Sequence, residues 1–295
     1  MTTSTYPFQG HYLKLNKLAY HYLDEGQGEP VLMVHGNPSW SYYYRNLAMA
    51  LRKEYRVIVP DHMGCGYSDK PSDDQYHYTL QQRIDDLDAL MDHLSIEAPI
   101  NLVLHDWGGL IGMGYAVKHP EKIKSITILN TAAFHLPEGK RLPWELYLSR
   151  SPLGTLLIRR FNAFSRTTAW IGCRRHPMSK ELRDAYCAPY NSYQNRIATL
   201  RFVQDIPLSP KDEAYSVVTN IQNQLKRFEQ LPILICWGEK DPVFDTDYLR
   251  EWEKVFPSAR IHRFPDCGHY ILEDAQDEVI PLIHSFLKSK KTYDQ

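Results

Sequence analysis

The sequence predicts an α/β fold, in which a mostly parallel, eight-stranded sheet is flanked by helices and carries an inserted helical segment. Two observations lead to this prediction. Short apolar runs recur along the 295 residues, and segments with helical periodicity lie between them. Strands buried on both faces of a parallel sheet have such continuous apolar runs, because helices cover both sides of the sheet.

Eight segments account for the predicted strands. The first two alternate between apolar and polar residues like an antiparallel pair, and Gly26 and Gly28 form a turn after them. The middle five are short apolar runs, and the last alternates like an edge strand. These segments are 11–15, 18–23, 30–34, 55–59, 100–104, 125–129, 234–237 and 260–264.

Two helices are predicted between these strands. Over residues 80–94, apolar side chains recur at helical spacing on one face, and Thr79 precedes them as a candidate N-cap. A second helix is predicted over residues 109–118. Both helices are therefore expected to pack one apolar face against the sheet.

The alternation of strands and helices breaks after Phe134. Residues 135–215 are rich in aromatic residues, Arg and Pro, and have helical patterns without strands. We therefore expect a core of residues 1–134 and 216–295, with residues 135–215 inserted after the sixth strand. Such an insertion would cover the C-terminal ends of the strands, where ligands bind in open α/β sheets.

Composition narrows the functional classes. The net charge of −1 implies no basic surface for nucleic acid, and no apolar stretch is long enough to span a membrane. Five cysteines without metal-ligand spacing suggest a reducing compartment. With no signal peptide visible at the N-terminus, we expect a cytoplasmic protein. No metal or organic cofactor is expected, since neither a phosphate-binding glycine loop nor a His/Cys ligand cluster is present.

The segment His105-Asp106-Trp107-Gly108-Gly109 follows a predicted buried strand and opens a predicted helix. A catalytic nucleophile occupies this position in the G-x-S-x-G turn, where small neighbours allow a tight bend. Here the nucleophile would be Asp106, a carboxylate that is ionised at neutral pH and attacks an electrophilic carbon without a base. Leu104 departs from the motif, because a small residue is usual at its position.

Donors for a leaving anion are predicted from two loops. His35-Gly36-Asn37-Pro38 follows the strand over 30–34, and such a loop contributes a backbone N–H to an oxyanion hole. The residue after the nucleophile, Trp107, contributes the second backbone N–H. The side chains of Asn37 and Trp107 offer two further donors that can stabilise the anion.

The base and its supporting acid are expected late in the chain. His269 follows the strand over 260–264, and Asp241 follows the strand over 234–237, which gives the order nucleophile, acid, base. Residues 130–132 follow the strand over 125–129 and offer no carboxylate. His105 is expected to point away from the site, and the loop with Asp61 and His62 is expected to be structural.

These motifs resemble the haloalkane dehalogenase family of α/β hydrolases, and the resemblance covers nearly the whole chain. It lies in HGNP, HDWGG, GEKD and CGHY, which begin at residues 35, 105, 238 and 267. The resemblance implies an α/β-hydrolase fold whose insertion is a helical cap. It also implies that an aspartate displaces halide, that Asn and Trp hold the anion, and that water activated by His cleaves the ester.

A narrower resemblance is to the β-lactone decarboxylases of bacterial long-chain olefin biosynthesis. It rests on HGNPSWSYYYR, GCGYSDKP, NTAAFHLP, FNAFS and RFVQDIPLSP, which begin at residues 35, 64, 130, 161 and 201. The implied activity converts a cis-3,4-dialkyl β-lactone into a cis-alkene and CO₂, with Asp106 attacking the strained ring at a carbon that the sequence does not identify. The substrate would be small and hydrophobic, and assembly with other olefin-pathway enzymes is a further expectation.

Three alternatives stay open at this point: a haloalkane dehalogenase, an epoxide hydrolase and a non-catalytic binding protein. An epoxide hydrolase would need tyrosines from the insertion to protonate the epoxide oxygen; the candidates are Tyr147, Tyr186, Tyr190, Tyr193 and Tyr215. The intact set of Asp106, Asp241 and His269 argues against a non-catalytic protein. Apolar residues of the insertion would either line a pocket for alkyl chains or pack against the core; they are Trp144, Leu148, Leu153, Leu156, Leu157, Phe161, Phe164 and Trp170.

Overall fold

The computed structural model describes residues 6–141 and 143–291, and its centre is one eight-stranded sheet. The strands follow the order β1-β2-β4-β3-β5-β6-β7-β8. They are β1 (His11–Leu15), β2 (Leu18–Glu25), β3 (Glu29–Val34), β4 (Tyr55–Pro60), β5 (Ile100–Asp106), β6 (Ile123–Thr131), β7 (Ile233–Gly238) and β8 (Arg260–Phe264).

The pairing of the strands confirms a mostly parallel sheet. β2 runs antiparallel to β1 and β4, and every pairing from β4 through β3 to β8 is parallel. All eight predicted strands are present, and the central ones extend beyond the predicted ends. β5 and β6 are buried at nearly every position, which is why their apolar runs are continuous.

Helices cover both faces of the sheet. The core on one face includes buried residues of α2 (Leu80–His93), α3 (Gly108–Lys118), α9 (Ala214–Gln224) and α10 (Thr246–Val255). The core on the other face includes residues of α1 (Arg45–Leu51), α11 (Ile271–Asp274) and α12 (Gln276–Lys291). This arrangement leaves the C-terminal ends of the parallel strands together at one edge, where a site can form.

Helix α2 forms as its sequence predicts. The hydroxyl of Thr79 accepts a hydrogen bond from the backbone N–H of Gln82 at 3.2 Å, which caps the first turn. Leu80, Ile84 and Leu87 are buried on the face that packs against the sheet.

Helical elements connect β6 to β7. They begin with α4 (Trp144–Arg150), α5 (Pro152–Phe161), α6 (Ala163–Ile171), α7 (Lys180–Cys187) and α8 (Ile197–Gln204), and α9 follows. α9 starts at Ala214 and packs against α3 of the core. Within residues 6–141 and 143–291, no helix is long and apolar enough to cross a membrane.

Candidate active site

Asp106 lies on a sharp turn at the C-terminal end of β5. Its φ angle of +52° is in the left-handed region, and α3 begins two residues later at Gly108. A Cβ atom at Gly108 would lie 1.9 Å from the carbonyl oxygen of Val34, so only glycine fits between the turn and β3. The bend therefore takes the form that its sequence predicts, with Asp106 at its apex.

Leu104, the departure from the usual motif, fits because of a glycine on the next helix. A Cβ atom at Gly112 would lie 2.3 Å from the Cδ2 atom of Leu104. The missing side chain at Gly112 thus leaves the space that the leucine fills. The small residue that the motif usually has at position 104 of the strand is thus replaced in its packing role by Gly112 on the helix.

Backbone donors hold the carboxylate of Asp106. The N–H of Asn37 donates to Oδ1 of Asp106 at 2.6 Å, and the N–H of Trp107 also stabilises the ionised carboxylate. A Cβ atom at Gly36 would lie 1.9 Å from the same Oδ1, so the loop approaches this closely only as glycine. Both backbone groups predicted for an oxyanion hole therefore face the Asp106 carboxylate.

His269 lies between the two predicted carboxylates. Its Nδ1 is 2.7 Å from Oδ2 of Asp241, and its Nε2 is 3.7 Å from Oδ2 of Asp106. Burial opposes protonation of the imidazole, but the adjacent Asp241 and Asp106 outweigh it, and the pKa of His269 is raised above its usual value of 6.5. The three residues thus meet with the imidazole in the middle.

The pKa of Asp106 is also raised above its usual value. Burial disfavours its charge, whereas His269 and the N–H groups of Asn37 and Trp107 favour it without fully compensating. The raised pKa indicates that the ionised form of this carboxyl group is less stabilised than that of an exposed aspartate. A poorly solvated carboxylate at a cavity wall is suited to nucleophilic attack.

Asn130, at the end of β6, is a site residue that the sequence analysis missed. Its amide nitrogen donates to Oδ2 of Asp241 at 3.1 Å and to the carbonyl of Gly238 at 2.9 Å, and its Oδ1 accepts from the Gly238 N–H at 2.8 Å. The N–H groups of Val243 and Phe244 donate to the other oxygen of Asp241. The sequence showed only that position 130 lacks a carboxylate, although its place at a strand end was a usable signal.

His105 is buried and turned away from the cavity, as expected. Its Nε2 is 2.9 Å from the carbonyl oxygen of His269, and its ring stacks on Tyr43. Burial holds the pKa of His105 well below its usual value. The imidazole therefore supports the backbone of the His269 loop rather than contacting a ligand.

Asp61 and His62 lie in a buried network away from the cavity. Asp61 is 2.7 Å from Nδ1 of His21 and accepts N–H bonds from Ser41 and Tyr67. His62 contacts the carbonyl oxygen of His35 through Nε2 at 2.9 Å. These contacts join the loop after β4 to its neighbours, which is the structural role expected for it.

The side chains of Asn37 and Trp107 both line the cavity beside Asp106. The Asn37 amide nitrogen donates one hydrogen bond to the carbonyl of Thr199 on α8 at 3.2 Å, which leaves its second N–H for a ligand. The indole of Trp107 packs against Phe202, with ring centroids 5.3 Å apart. Helix α8 thus orients both predicted anion donors.

The cavity at this site has a volume of about 530 Å³. Its floor contains Asp106, Asp241 and His269, and most of its remaining wall is apolar. No group of three or more His, Cys, Asp or Glu side chains suited to a metal ion occurs in the part of the chain that the structure describes. The site therefore offers a charged floor in an otherwise apolar space of small-molecule size.

The apolar residues predicted for the insertion divide into two groups. Leu148, Leu157 and Phe164 line the cavity. The others, Trp144, Leu153, Leu156, Phe161 and Trp170, are exposed and neither line the cavity nor pack into the core. For these five, both interpretations made from the sequence were wrong, because their side chains project outward from α4, α5 and α6.

The tyrosines that an epoxide hydrolase would use are also outside the cavity wall. Tyr186 and Tyr190 are buried. The Tyr186 hydroxyl donates a hydrogen bond to Glu273, and the Tyr190 hydroxyl donates one to the carbonyl of Ser39. None of Tyr147, Tyr186, Tyr190, Tyr193 and Tyr215 lines the cavity. A tyrosine from the core, Tyr248 on α10, does line it.

Comparison of the sequence with known proteins identifies a family and several relatives of this chain. Residues 29–276 match the family model of the alpha/beta hydrolase fold. A Shewanella oneidensis protein named cis-3-alkyl-4-alkyloxetan-2-one decarboxylase is 56% identical over 99% of this chain and 92% of its own length. A Xanthomonas campestris pv. campestris protein of the same name is 47% identical over 92% of this chain and 93% of its own. Haloalkane dehalogenase 2 of Mycobacterium bovis is more distant, at 28% identity over 94% of each chain.

A solved structure supports the same fold. A mutant of haloalkane dehalogenase DatA from Agrobacterium tumefaciens C58 superposes with a TM-score of 0.84 at 22% identity, covering 98% of this chain and 100% of that chain. The family match covers most of the sequence, and the sheet has the predicted topology. The chain is an enzyme that belongs to the α/β-hydrolase fold family.

Proposed function

We propose that this protein is a decarboxylase of cis-3-alkyl-4-alkyloxetan-2-ones, β-lactones that it converts into a cis-alkene and CO₂. The observation that carries the proposal is the 56% identity, over 99% of the chain, to the Shewanella oneidensis protein of that name. The site supports it, because a carboxylate, N–H donors and an apolar cavity meet at one point.

In the first step, the Asp106 carboxylate attacks C4 of the lactone ring. A bond forms between Asp106 and C4, the bond from C4 to the ring oxygen breaks, and the ring opens to a carboxylate carried by C3. Asn37 and Trp107 line the cavity beside Asp106, where their side-chain N–H groups stabilise this new anion. Release of ring strain favours the opening.

In the second step, the new carboxylate leaves as CO₂. The electron pair of the broken C–C bond forms the C3=C4 double bond, and the bond from C4 to Asp106 breaks, which restores the Asp106 carboxylate. Inversion at C4 followed by anti departure of the two groups gives the cis-alkene. One lactone thus gives one alkene and one CO₂, without water or a net proton transfer.

We assign to His269 the role of keeping Asp106 ionised during this cycle. Its imidazole lies 3.7 Å from the Asp106 carboxylate and favours the charged form of that group. Asp241, 2.7 Å from Nδ1, fixes the orientation of the ring, and Asn130 fixes Asp241. In a hydrolytic reaction, the same imidazole would act as the base that activates water.

Haloalkane dehalogenase activity is the second candidate, because the more distant relative of 28% identity carries that name. Asp106 would displace halide from carbon, and Asn37 with Trp107 would hold the ion. Hydrolysis of the ester would then depend on His269. The two candidates share the nucleophile and the donors, and they differ in whether water enters the product.

We further propose that residues 135–215 act as the cap over this site and that the protein works in the cytoplasm. Residues of α4, α5, α6 and α8 contribute to the cavity wall, which supports the cap assignment. The five cysteines are all free, as a reducing compartment would keep them. Assembly with other olefin-pathway enzymes stays a prediction.

A panel of three substrates tests the function. Purified protein receives a cis-dialkyl β-lactone, a bromoalkane and an epoxide, and alkene, bromide and diol are measured separately. We expect alkene from the lactone as the dominant product. Rapid bromide release without alkene would contradict the decarboxylase proposal and favour the dehalogenase, and diol formation would favour the epoxide hydrolase.

A further inference from the structure

The outer face of α4–α6, on the side away from the cavity, carries large exposed apolar side chains. Trp144 and Trp170 are 68% and 65% exposed. They are accompanied by Tyr147, Leu153, Leu156 and Phe161, which are each about half exposed. Aromatic and aliphatic side chains rarely cluster on three consecutive exposed helices without a binding role.

The same helices are also apolar on their inner faces. Leu146 of α4, Leu157 of α5 and Phe164 of α6 line the cavity. Helices that are apolar on both faces are normally covered on both sides. α4–α6 therefore form a wall between the apolar cavity and an outer surface that the described part of this chain leaves largely exposed, apart from the Arg183 guanidinium 3.8 Å from the centroid of the Trp170 ring.

Arginines outnumber acidic residues on these helices. Residues 144–171 contain four arginines and one acidic residue, Glu145, although the whole chain has a net charge of −1. Arg160 and Arg166 are exposed and form no salt bridge within the described part of the chain, although Arg166 lies close enough to Asp184 of α7 to favour the charged form of that carboxyl. The surface thus combines exposed guanidinium groups with exposed tryptophan.

We propose that the outer face of α4–α6 docks on the surface of an anionic phospholipid bilayer. Tryptophan rings are favoured at the boundary between headgroups and acyl chains, where Trp144 and Trp170 would insert. Arg160 and Arg166 would pair with headgroup phosphates, since guanidinium groups bind phosphate well. The docking is peripheral, as for amphipathic surfaces that lie in the interface.

The position of the cavity favours a bilayer over a protein as the occupant of this face. The exposed residues of its wall are Glu145 on α4, Thr167 and Ile171 on α6, and Pro242 after β7. Three of the four thus belong to α4 and α6, so the cavity reaches the surface beside these helices. A lactone with two alkyl chains partitions into lipid and would enter from there. This delivery step rests on the proposed function, whereas the docking rests on the surface alone.

Vesicle flotation of the full chain tests the docking without any turnover. The vesicles contain phosphatidylglycerol with phosphatidylcholine, or phosphatidylcholine alone. The double variant Arg160→Glu/Arg166→Glu is compared with Lys14→Glu/Lys53→Glu, which changes the net charge equally at exposed positions outside the insertion. The variant Trp144→Ser/Trp170→Ser tests insertion, and Tyr12→Ser is its exposed aromatic control.

We expect wild-type protein to float with phosphatidylglycerol vesicles at low salt and to be released by high salt. The arginine variant should lose affinity by roughly tenfold or more, and the lysine control by less than about twofold. The tryptophan variant should also lose affinity, and Tyr12→Ser should not. All variants should keep alkene formation from a short-chain lactone dissolved in water. If the wild-type protein also lacks this activity, the proposed function fails, while the docking result still stands.

Three outcomes would overturn the docking proposal. The first is wild-type protein that does not float at low salt. The second is an equal loss of binding in the arginine and lysine variants, which would indicate attraction without a specific face. The third is a self-associated or protein-bound state that only the Trp144→Ser/Trp170→Ser variant disrupts in sedimentation experiments. That result would make the outer face of α4–α6 a protein interface.

Discussion

The amide of Asn130 donates a hydrogen bond to Oδ2 of Asp241 at 3.1 Å, and the same oxygen lies 2.7 Å from Nδ1 of His269. The ends of β6 and β7 are thereby joined beneath the imidazole. Asn130 supplies a neutral donor at the strand end that lacks a carboxylate. The orientation of His269 therefore depends on two neighbouring strands.

Replacing Asn130 tests this relationship. Asn130→Ala would remove the amide that bonds Oδ2 of Asp241 and both backbone groups of Gly238, and we expect a loss of unfolding free energy of about 2–3 kcal/mol. Asn130→Asp would keep the shape but place a second negative charge beside Asp241. We expect Asn130→Asp to lower kcat more than KM rises. Urea unfolding and steady-state alkene assays check both effects, and wild-type values in both variants would contradict the role.

Trp107→Phe tests the side-chain donor to the anion. Phenylalanine keeps an aromatic ring against Phe202 but removes the indole N–H. Loss of one donor in an oxyanion-type site lowers kcat by about 10²–10³-fold, and we expect a fall of that order here. Steady-state kinetics with a β-lactone measure it, and an unchanged kcat would exclude the indole as a donor to the developing charge.

The pH dependence of alkene formation tests the link between His269 and Asp106. Only the ionised Asp106 attacks, and burial raises its pKa, so activity should fall as the pH drops and should do so above the usual aspartate range. His269 partly offsets this rise, since it favours the charged carboxylate. In His269→Gln, the acid limb of kcat/KM should therefore move to higher pH. A limb that stays in place or moves to lower pH would contradict the proposed role.

Buried histidines should make the fold sensitive to mild acid. Burial lowers the pKa of His35, His62 and His105, so these groups stay neutral in the folded protein while the unfolded chain takes up protons below about pH 6.5. Stability is then lost as the pH falls, by up to about 1.4 kcal/mol per histidine per pH unit. Urea unfolding between pH 7.5 and roughly 5 measures the slope, and a flat profile would refute the account.

The sheet was predictable from sequence because its strands are buried on both faces. Continuous apolar runs mark the middle of β5 and β6, although the C-terminal end of each was placed two residues short. Those ends include Asp106 and Asn130, polar residues that interrupt the apolar pattern but continue the strands. Polarity at the end of a strand therefore hid where each strand ends: Asp106 was still identified from its motif, whereas Asn130 was missed.

The insertion was less predictable, because its helices break the usual rule that apolar residues face inward. The sequence pattern alone assigned Trp144 and Trp170 to a pocket wall or to packing against the core, whereas both side chains are exposed. Asn130 was missed for another reason, since its partner Asp241 lies 111 residues away in the chain. Motifs identify residues that react, whereas residues that position them emerge only from the packing of neighbouring strands.

The central claim is that the Asp106 carboxylate opens the lactone ring, and Asp106→Asn tests it most directly. Alkene formation from a cis-dialkyl β-lactone is measured in a sample whose intact mass excludes conversion back to Asp and whose circular dichroism matches the wild type. The account predicts a fall in kcat of at least about 10⁴-fold, as expected for loss of a nucleophile. Turnover within about tenfold of the wild type would contradict it.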